Sequence, residues 1–383
     1  MSTNYNNPQQ ADAYNNRANA ASLGQYEKAI QDLDEAIRIN PQADAYFYRG
    51  AAYASLGQYE RAIQDFDEAI RLDPENAGDY LGRGVAYGRL GQHERAIHDF
   101  DEAIRINPQA DAYNNRANAY ARLGQHERAI HDYDEAIRLD PQYADAYINR
   151  GNAYGNLGQH ERAIQDFDEA IRINPQYADV YYARGLEYGG LGQHERAIKD
   201  YDEAIRLDPQ DAKVYNNRGV EYGYLGQFER AIQDLDEAIR LNPQYANVYI
   251  NRGNEYYYLG QNERSIQDYD EAIRINTQDG DAYNNRGLAY ANLGQYERAI
   301  QDYDEAIRLN PQHVDAYINR GNAYGNLGQH ELAIQDFDEV IRLNPQYAIA
   351  YNNRGLAYGF IGESVESERD IQNAKFLGYD GSW

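Results

Sequence analysis

Cysteine is absent from the 383 residues, and methionine and tryptophan occur once each. Without cysteine there is no disulfide framework and no thiolate zinc site, and the redox compartment stays open. Positive charge is scarce. Lysine and arginine number 36 against 62 aspartates and glutamates, a formal net charge of −26 and a pI near 4.6. Sequence-independent nucleic-acid binding needs cations against phosphates, so this balance argues against it. It argues equally against docking on an anionic bilayer. No apolar run approaches the roughly 20 residues that span a membrane, so no membrane insertion is expected. The opening MSTNYNNPQQADAY has no basic segment followed by an apolar one and does not read as a secretory signal. The expectation is a cytoplasmic protein. Phenylalanine is sparse too, 8 against 39 tyrosines.

What is abundant is repetition. YINRGNAYGNLGQHE stands at 147–161 and again at 317–331. The glycines of Leu-Gly or Ile-Gly recur from Gly24 to Gly362 at spacings of 33 or 34, which sets a period of 34 and eleven repeats. Positions are counted from Ala144, so residues 144–177 form the reference repeat. Tyr147, Gly151 and Tyr154 (positions 4, 8 and 11) share a helical face, as do Ala163, Ile164, Phe167, Ala170 and Ile171 in the second half. Gly158 suits the end of the first helix, and Asn174-Pro175 stops the second. Each repeat is therefore read as two helices of about three to four turns, marginal alone and stable when stacked.

These residues resemble the tetratricopeptide repeat (TPR) family. Position 4 is Tyr in all eleven repeats, from Tyr14 to Tyr351. Position 20 is Ala except Ser265 and Ser367, and position 27 is Ala except Val340. Position 32 is Pro except Thr277 and in the divergent last repeat. The resemblance implies an all-α, right-handed superhelix, an α-solenoid whose first helices line a concave groove. The expected division is a repeat remnant at 1–10 and ten repeats over 11–347, starting near 11, 43, 77, 110, 144, 178, 212, 246, 280 and 314. A divergent eleventh repeat follows at 348–383, with 363–377 as a water-tolerant capping helix and Trp383 beyond it. The family's leucine-like position 7 is Arg throughout, from Arg17 to Arg354, and position 23 is always Asp. Arg–Asp pairing between helices is expected, within a repeat or across a boundary, as for Arg150 with Asp166 and Arg218 with Asp234. Asp168 and Arg172 have the i,i+4 spacing of a surface pair.

No catalytic constellation stands out, so the chain is expected not to be an enzyme and to need no cofactor. HERAIH at 93–98 and 126–131 resembles a zinc-protease motif, but its histidines are five apart and fall on different helix faces. His93, His126, His160 and His194 are expected to be exposed, with no metal. The late glycines, as in YGNLG at 154–158, lack the lysine–serine of a phosphate loop. They permit either close helix contact or a wide groove.

The resemblance places binding at positions 2, 5, 6, 9, 12 and 13. Position 6 carries Asn115, Asn149, Asn217, Asn251, Asn285, Asn319 and Asn353, and position 9 adds Asn118, Asn152, Asn254 and Asn322. This is similar to the asparagine ladder in the TPR superhelix of O-linked N-acetylglucosamine transferases. Amides that donate and accept suit the backbone of an extended peptide. Position 5 alternates Asn with Ile. Tyr182, Tyr224, Tyr257 and Tyr258 are expected aromatic anchors. Glu187, Glu221 and Glu255 at position 10 would favour a partner with basic residues. The basic clamp some members use for a terminal carboxylate is not matched, since position 2 is mostly Asp and position 5 is never Lys. The expected function is a scaffold or adaptor for a protein or peptide. The alternatives are a self-associating solenoid or a regulatory subunit of an enzyme complex.

Overall fold

The computed structural model describes residues 25–380. The remnant at 1–10, Tyr14, Arg17 and Trp383 lie outside the described residues. Among the described residues there are 21 α-helices and no strand. First helices begin at Ala43, Ala77, Ala110, Ala144, Ala178, Ala212, Ala246, Gly280, Val314 and Ala348. The chain forms two compact units, Met1–Gly192 and Gln193–Trp383. In the first, the helix Tyr26–Ile39 is followed by hairpins at 43–72, 77–106, 110–139 and 144–173 and by Ala178–Gly190. In the second, His194–Leu207 is followed by hairpins at 212–241, 246–275, 280–309, 314–343 and 348–376. Each unit is an α-solenoid of antiparallel helix pairs.

The local reasons recur along the described residues, with Thr277 in place of the proline once and the last repeat divergent. At the first helix's end Gly158 takes φ 69°. Its N–H donates to Gly155 O, and that of Gln159 to Tyr154 O, both at 2.9 Å, closing a Schellman turn. A side chain there would be forced into the left-handed region at about 1 kcal/mol. The second helix ends at Ile173, where Asn174 caps Ala170 O at 2.8 Å and Pro175 forbids extension.

Burial at position 24 holds each hairpin. Phe167 is fully buried among Tyr154, Ala163, Ala170 and Val180 of the next repeat. Burying such a ring contributes about 1.5–3 kcal/mol. The first helix approaches so closely that a Cβ on Gly151 would fall 2.7 Å from the Phe167 ring. In other repeats Tyr takes the place of Phe. Tyr133 and Tyr269 are buried, and their hydroxyls donate to Asn118 at 2.6 Å and Asn254 at 2.7 Å. Burial pushes both phenols well above their ordinary range.

The last helix, Ser364–Phe376, carries two exposed apolar side chains. Val365 and Phe376 occupy positions 18 and 29, which hold an exposed Glu and Arg in the reference repeat, Glu161 and Arg172. They stand 74% and 89% exposed.

Candidate binding surface

Arginine at position 7 ties three helices. Arg150 donates from Nε and Nη2 to the two carboxylate oxygens of Asp166 at 2.8 and 2.6 Å. Its Nη1 donates to Asp134 on the preceding second helix. Arg218 grips Asp234 at 2.7 and 2.6 Å and reaches back to Asp202. Burial pushes the Asp166 and Asp234 carboxyls up, opposed by the two hydrogen bonds from each arginine. The Tyr147 ring lies 5.6 Å from the Arg150 guanidinium, which is thereby enclosed by carboxylates and a π-face. The back-reaching bond displaces one expected contact. Asp168 accepts from Arg184 of the next repeat rather than from Arg172, which pairs with Glu169 at 2.8 Å. The half-buried guanidinium is pre-organised to reach Asp168, whereas Arg172 is exposed and takes its i,i+3 neighbour.

The position-6 asparagines are half-buried and, Asn115 apart, bond to asparagines at positions 5 and 9. In the first unit Asn149 donates to Asn114 Oδ1 at 3.3 Å, and Asn115 donates to the Asp111 carbonyl at 2.8 Å. In the second unit Asn251 donates to Asn216 at 2.9 Å, and Asn216 donates to Asn217 at 2.9 Å. A longer relay runs through three repeats. Asn319 donates to Asn284 at 3.0 Å, Asn284 to Asn285 at 3.2 Å, and Asn285 to Asn254 at 3.2 Å. The buried position-5 residues Asn114, Asn216 and Asn284 are thus partners inside the ladder rather than ligand-facing groups. An amide has two N–H groups and two lone pairs, so the internal bonds orient the ladder and leave it further capacity.

Tyr224 and Tyr258 project from the ends of their first helices, 71% and 67% exposed. Tyr224 stacks on His194 at 5.0 Å, and Tyr258 on Phe228 at 5.8 Å. Tyr257 meets Tyr258 edge-on, and both Tyr257 and Tyr182 are half-buried.

The position-10 glutamates differ from expectation. Glu221 and Glu255 are buried, and Glu187 is half-buried. Glu187 Oε2 lies 2.6 Å from His160 Nδ1, and Glu221 Oε2 lies 2.6 Å from His194 Nδ1. These histidines are therefore contacts between repeats rather than freely exposed side chains. Glu187 sits where a Cβ on Gly155 would fall 2.4 Å from its Oε1, so that late glycine serves close contact. Glu255 has Phe228 in place of the histidine, and burial pushes its carboxyl up to about 7. Among the described residues no group of three or more metal-ligating side chains gathers.

A feature the sequence reading missed lies in the first unit. A cavity of about 560 Å³ opens there, and its wall includes Arg89, His93, Arg122, His126, Asn115 and Asn149 but no carboxylate. Its signal in the sequence is that position 13 is Arg only in the repeats starting at 77 and 110.

The sequence matches the tetratricopeptide repeat model at 43–76, 79–109, 144–177, 178–211, 212–245, 280–313 and 314–347. A second TPR repeat model matches at 21–57, 117–158 and 253–294. Among solved structures, the APC/C hetero-tetramer Cut9-Hcn1 is similar over 97% of this chain and 94% of that one, at 14% identity and a TM-score of 0.52. That is a likeness of fold. Yeast Tom70 is similar over 96% of both chains at 15% identity and a TM-score of 0.49. YrrB, described as a TPR protein with an unusual peptide-binding site, covers 46% of this chain and 92% of its own at 26% identity and a TM-score of 0.40. No curated protein matches the sequence.

Proposed function

The chain belongs to the tetratricopeptide repeat family, and on that premise we propose that it is a non-catalytic scaffold that holds an extended segment of a partner protein along its first helices. The observation that carries this reading is the pairing of exposed, stacked aromatics with an oriented amide relay. Tyr224 and Tyr258 are rings already fixed by His194 and Phe228, so little side-chain freedom is lost on binding. The amides from Asn319 to Asn254 offer donors and acceptors to a peptide backbone. Cytoplasmic placement and the division into ten repeats over 11–347 with an eleventh at 348–383 belong to the same proposal. A partner chosen for basic residues does not, because Glu187 and Glu221 are occupied by histidines and Glu255 is buried.

The test is a peptide-array screen of the full chain beside Tyr224→Ala/Tyr258→Ala. Loss of two anchor rings should weaken any bound peptide by more than about tenfold while helicity is retained. Peptides that bind both proteins equally would overturn the aromatic anchors, and no bound peptide at all would overturn the reading. Changing Asn217, Asn251 and Asn285 together to Ala is the harsher variant, since Asn254 and Asn216 would lose partners. A second reading, self-association, is favoured by exposed Val365 and Phe376, eleven residues apart on one helix face. Sedimentation of Val365→Glu/Phe376→Arg, which restores the residue types of Glu161 and Arg172, tests it. A concentration-dependent oligomer that the variant dissolves would support it.

A further inference from the structure

We infer that the cavity of the first compact unit is a carboxylate-binding subsite, filled by acidic side chains of the bound peptide segment. The inference rests on the peptide reading above and adds the ligand's chemistry.

The chain contains its own template for the ligand. In the repeats starting at 144 and 178, position 17 is His, and the next repeat's position 10 is Glu. There the glutamate carboxylate lies 2.6 Å from the histidine Nδ1, as in His160 with Glu187 and His194 with Glu221. The repeats starting at 77 and 110 keep the histidine, as His93 and His126, but the residues opposite are Ala119 and Ala153. The carboxylate is missing and the cavity takes its place. His126 Nδ1 is buried there without a hydrogen-bond partner. Leaving a buried polar atom of that kind unbonded is unfavourable until a partner reaches it. Gly88 occupies the position of Gly155, beneath the vacant place. A Cβ on Gly155 would meet Glu187, whereas a Cβ on Gly88 would have nothing within 4 Å.

The electrostatics point the same way. Arg89 and Arg122 line the cavity, are exposed, and make no ion pair among the described residues. Most other arginines of this chain are held by carboxylates, in forks such as Arg150 with Asp166 or i,i+3 pairs such as Arg172 with Glu169. A cation-lined, carboxylate-free cavity in a chain of net charge −26 selects an anion. Amides of Asn115 and Asn149 on the same wall add donors. The volume, about 560 Å³, accommodates more than one side chain. The groups sit at positions 13 and 17, not at the positions 2 and 5 of the family's basic clamp.

The experiment is a fluorescence-anisotropy titration of the full chain with labelled, end-blocked hexaglutamate and hexaglutamine at fixed low salt. Two variants accompany it. Ala119→Glu supplies an internal carboxylate to His93 above Gly88, and Arg89→Gln/Arg122→Gln removes two exposed cations without touching the core. Hexaglutamate is expected to bind tighter than hexaglutamine by about tenfold or more, and each variant to lose about tenfold for hexaglutamate alone. Circular dichroism checks that both variants stay helical. Equal binding of the two peptides, or hexaglutamate binding unchanged in both variants, overturns the subsite. In that case the groove reading stands or falls on Tyr224 and Tyr258 independently. Competition separates the sources of the anion. Displacement of hexaglutamate by free glutarate at a matched carboxylate concentration overturns the peptide source, and stronger displacement by inorganic phosphate overturns the carboxylate preference.

Discussion

Asp79 is a carboxyl in a place built for a methyl group. It occupies position 3, where other repeats carry Ala45, Ala112 or Val180, and it is fully buried. Asn76 donates to its Oδ1 at 3.3 Å, but its Oδ2 has no partner. Burial, with Asp73 and Asp44 adding to it, pushes its pKa up to about 7. The folded state therefore holds the proton more tightly than the unfolded chain, whose aspartate titrates near 4. As pH rises from about 4 to about 7, the unfolded state releases its proton first and stability falls. Asp79→Ala should raise stability by about 1–3 kcal/mol, with the larger gain at pH 8 and a smaller one at pH 4. Urea midpoints at the two pH values check this, and no gain at pH 8 would refute it. Glu255 in the second unit has the same sign, its carboxyl raised to about 7 by burial.

At the scale of the helix pair, the arginine fork ties one first helix to two second helices. Arg252 holds Asp268 through Nε and Nη2 at 2.9 and 2.6 Å and reaches Asp236 on the preceding second helix. Asp268 is buried and Asp236 is exposed, so only the first is costly to strand. Arg252→Leu should destabilise by about 3–5 kcal/mol, because Asp268 is left as an unpaired buried charge. Adding Asp268→Ala should restore most of that loss, since apolar replacement of a whole buried pair is often neutral. A double-mutant cycle in urea reads the coupling, and additive losses would show that the fork contributes nothing beyond its parts. Arg252→Lys keeps the charge and loses the planar fork, so it should fall between the two.

At the scale of the whole molecule, the net charge of −26 opposes compaction along the array. Exposed pairs such as Arg172 with Glu169 contribute little, while half-buried forks are poorly screened. Raising NaCl from 10 to 500 mM, through a Debye length of about 30 Å to under 5 Å, should therefore raise the thermal midpoint by a few degrees. A midpoint that falls with salt would mean that attractive surface pairs outweigh the repulsion. Stability in such an array is close to a sum of repeat and interface terms, so the shift should appear without a change in helicity at low temperature.

The sequence by itself determined the period, the helix ends and the core. Gly158 and Asn174-Pro175 mark chain reversals that follow from backbone sterics alone, and Phe167 and Ala170 recur at the spacing of one helix face. Those are local facts within 34 residues. Only the tertiary structure decided what meets across repeats. Glu187 meets His160 at 27 residues' separation, Asn285 meets Asn254 at 31, and Asn149 meets Asn114 at 35. Which of these offsets come into contact depends on how successive hairpins are rotated and translated, and no single repeat encodes that. Hence the glutamates, read as ligand-facing, are turned inward, and the amides, read as a ladder for a peptide, bond first to one another. Ala119 and Ala153 look unremarkable in a chain rich in alanine; stacked opposite His93 and His126 they become a cavity, because an absent side chain creates space only where neighbours are held apart.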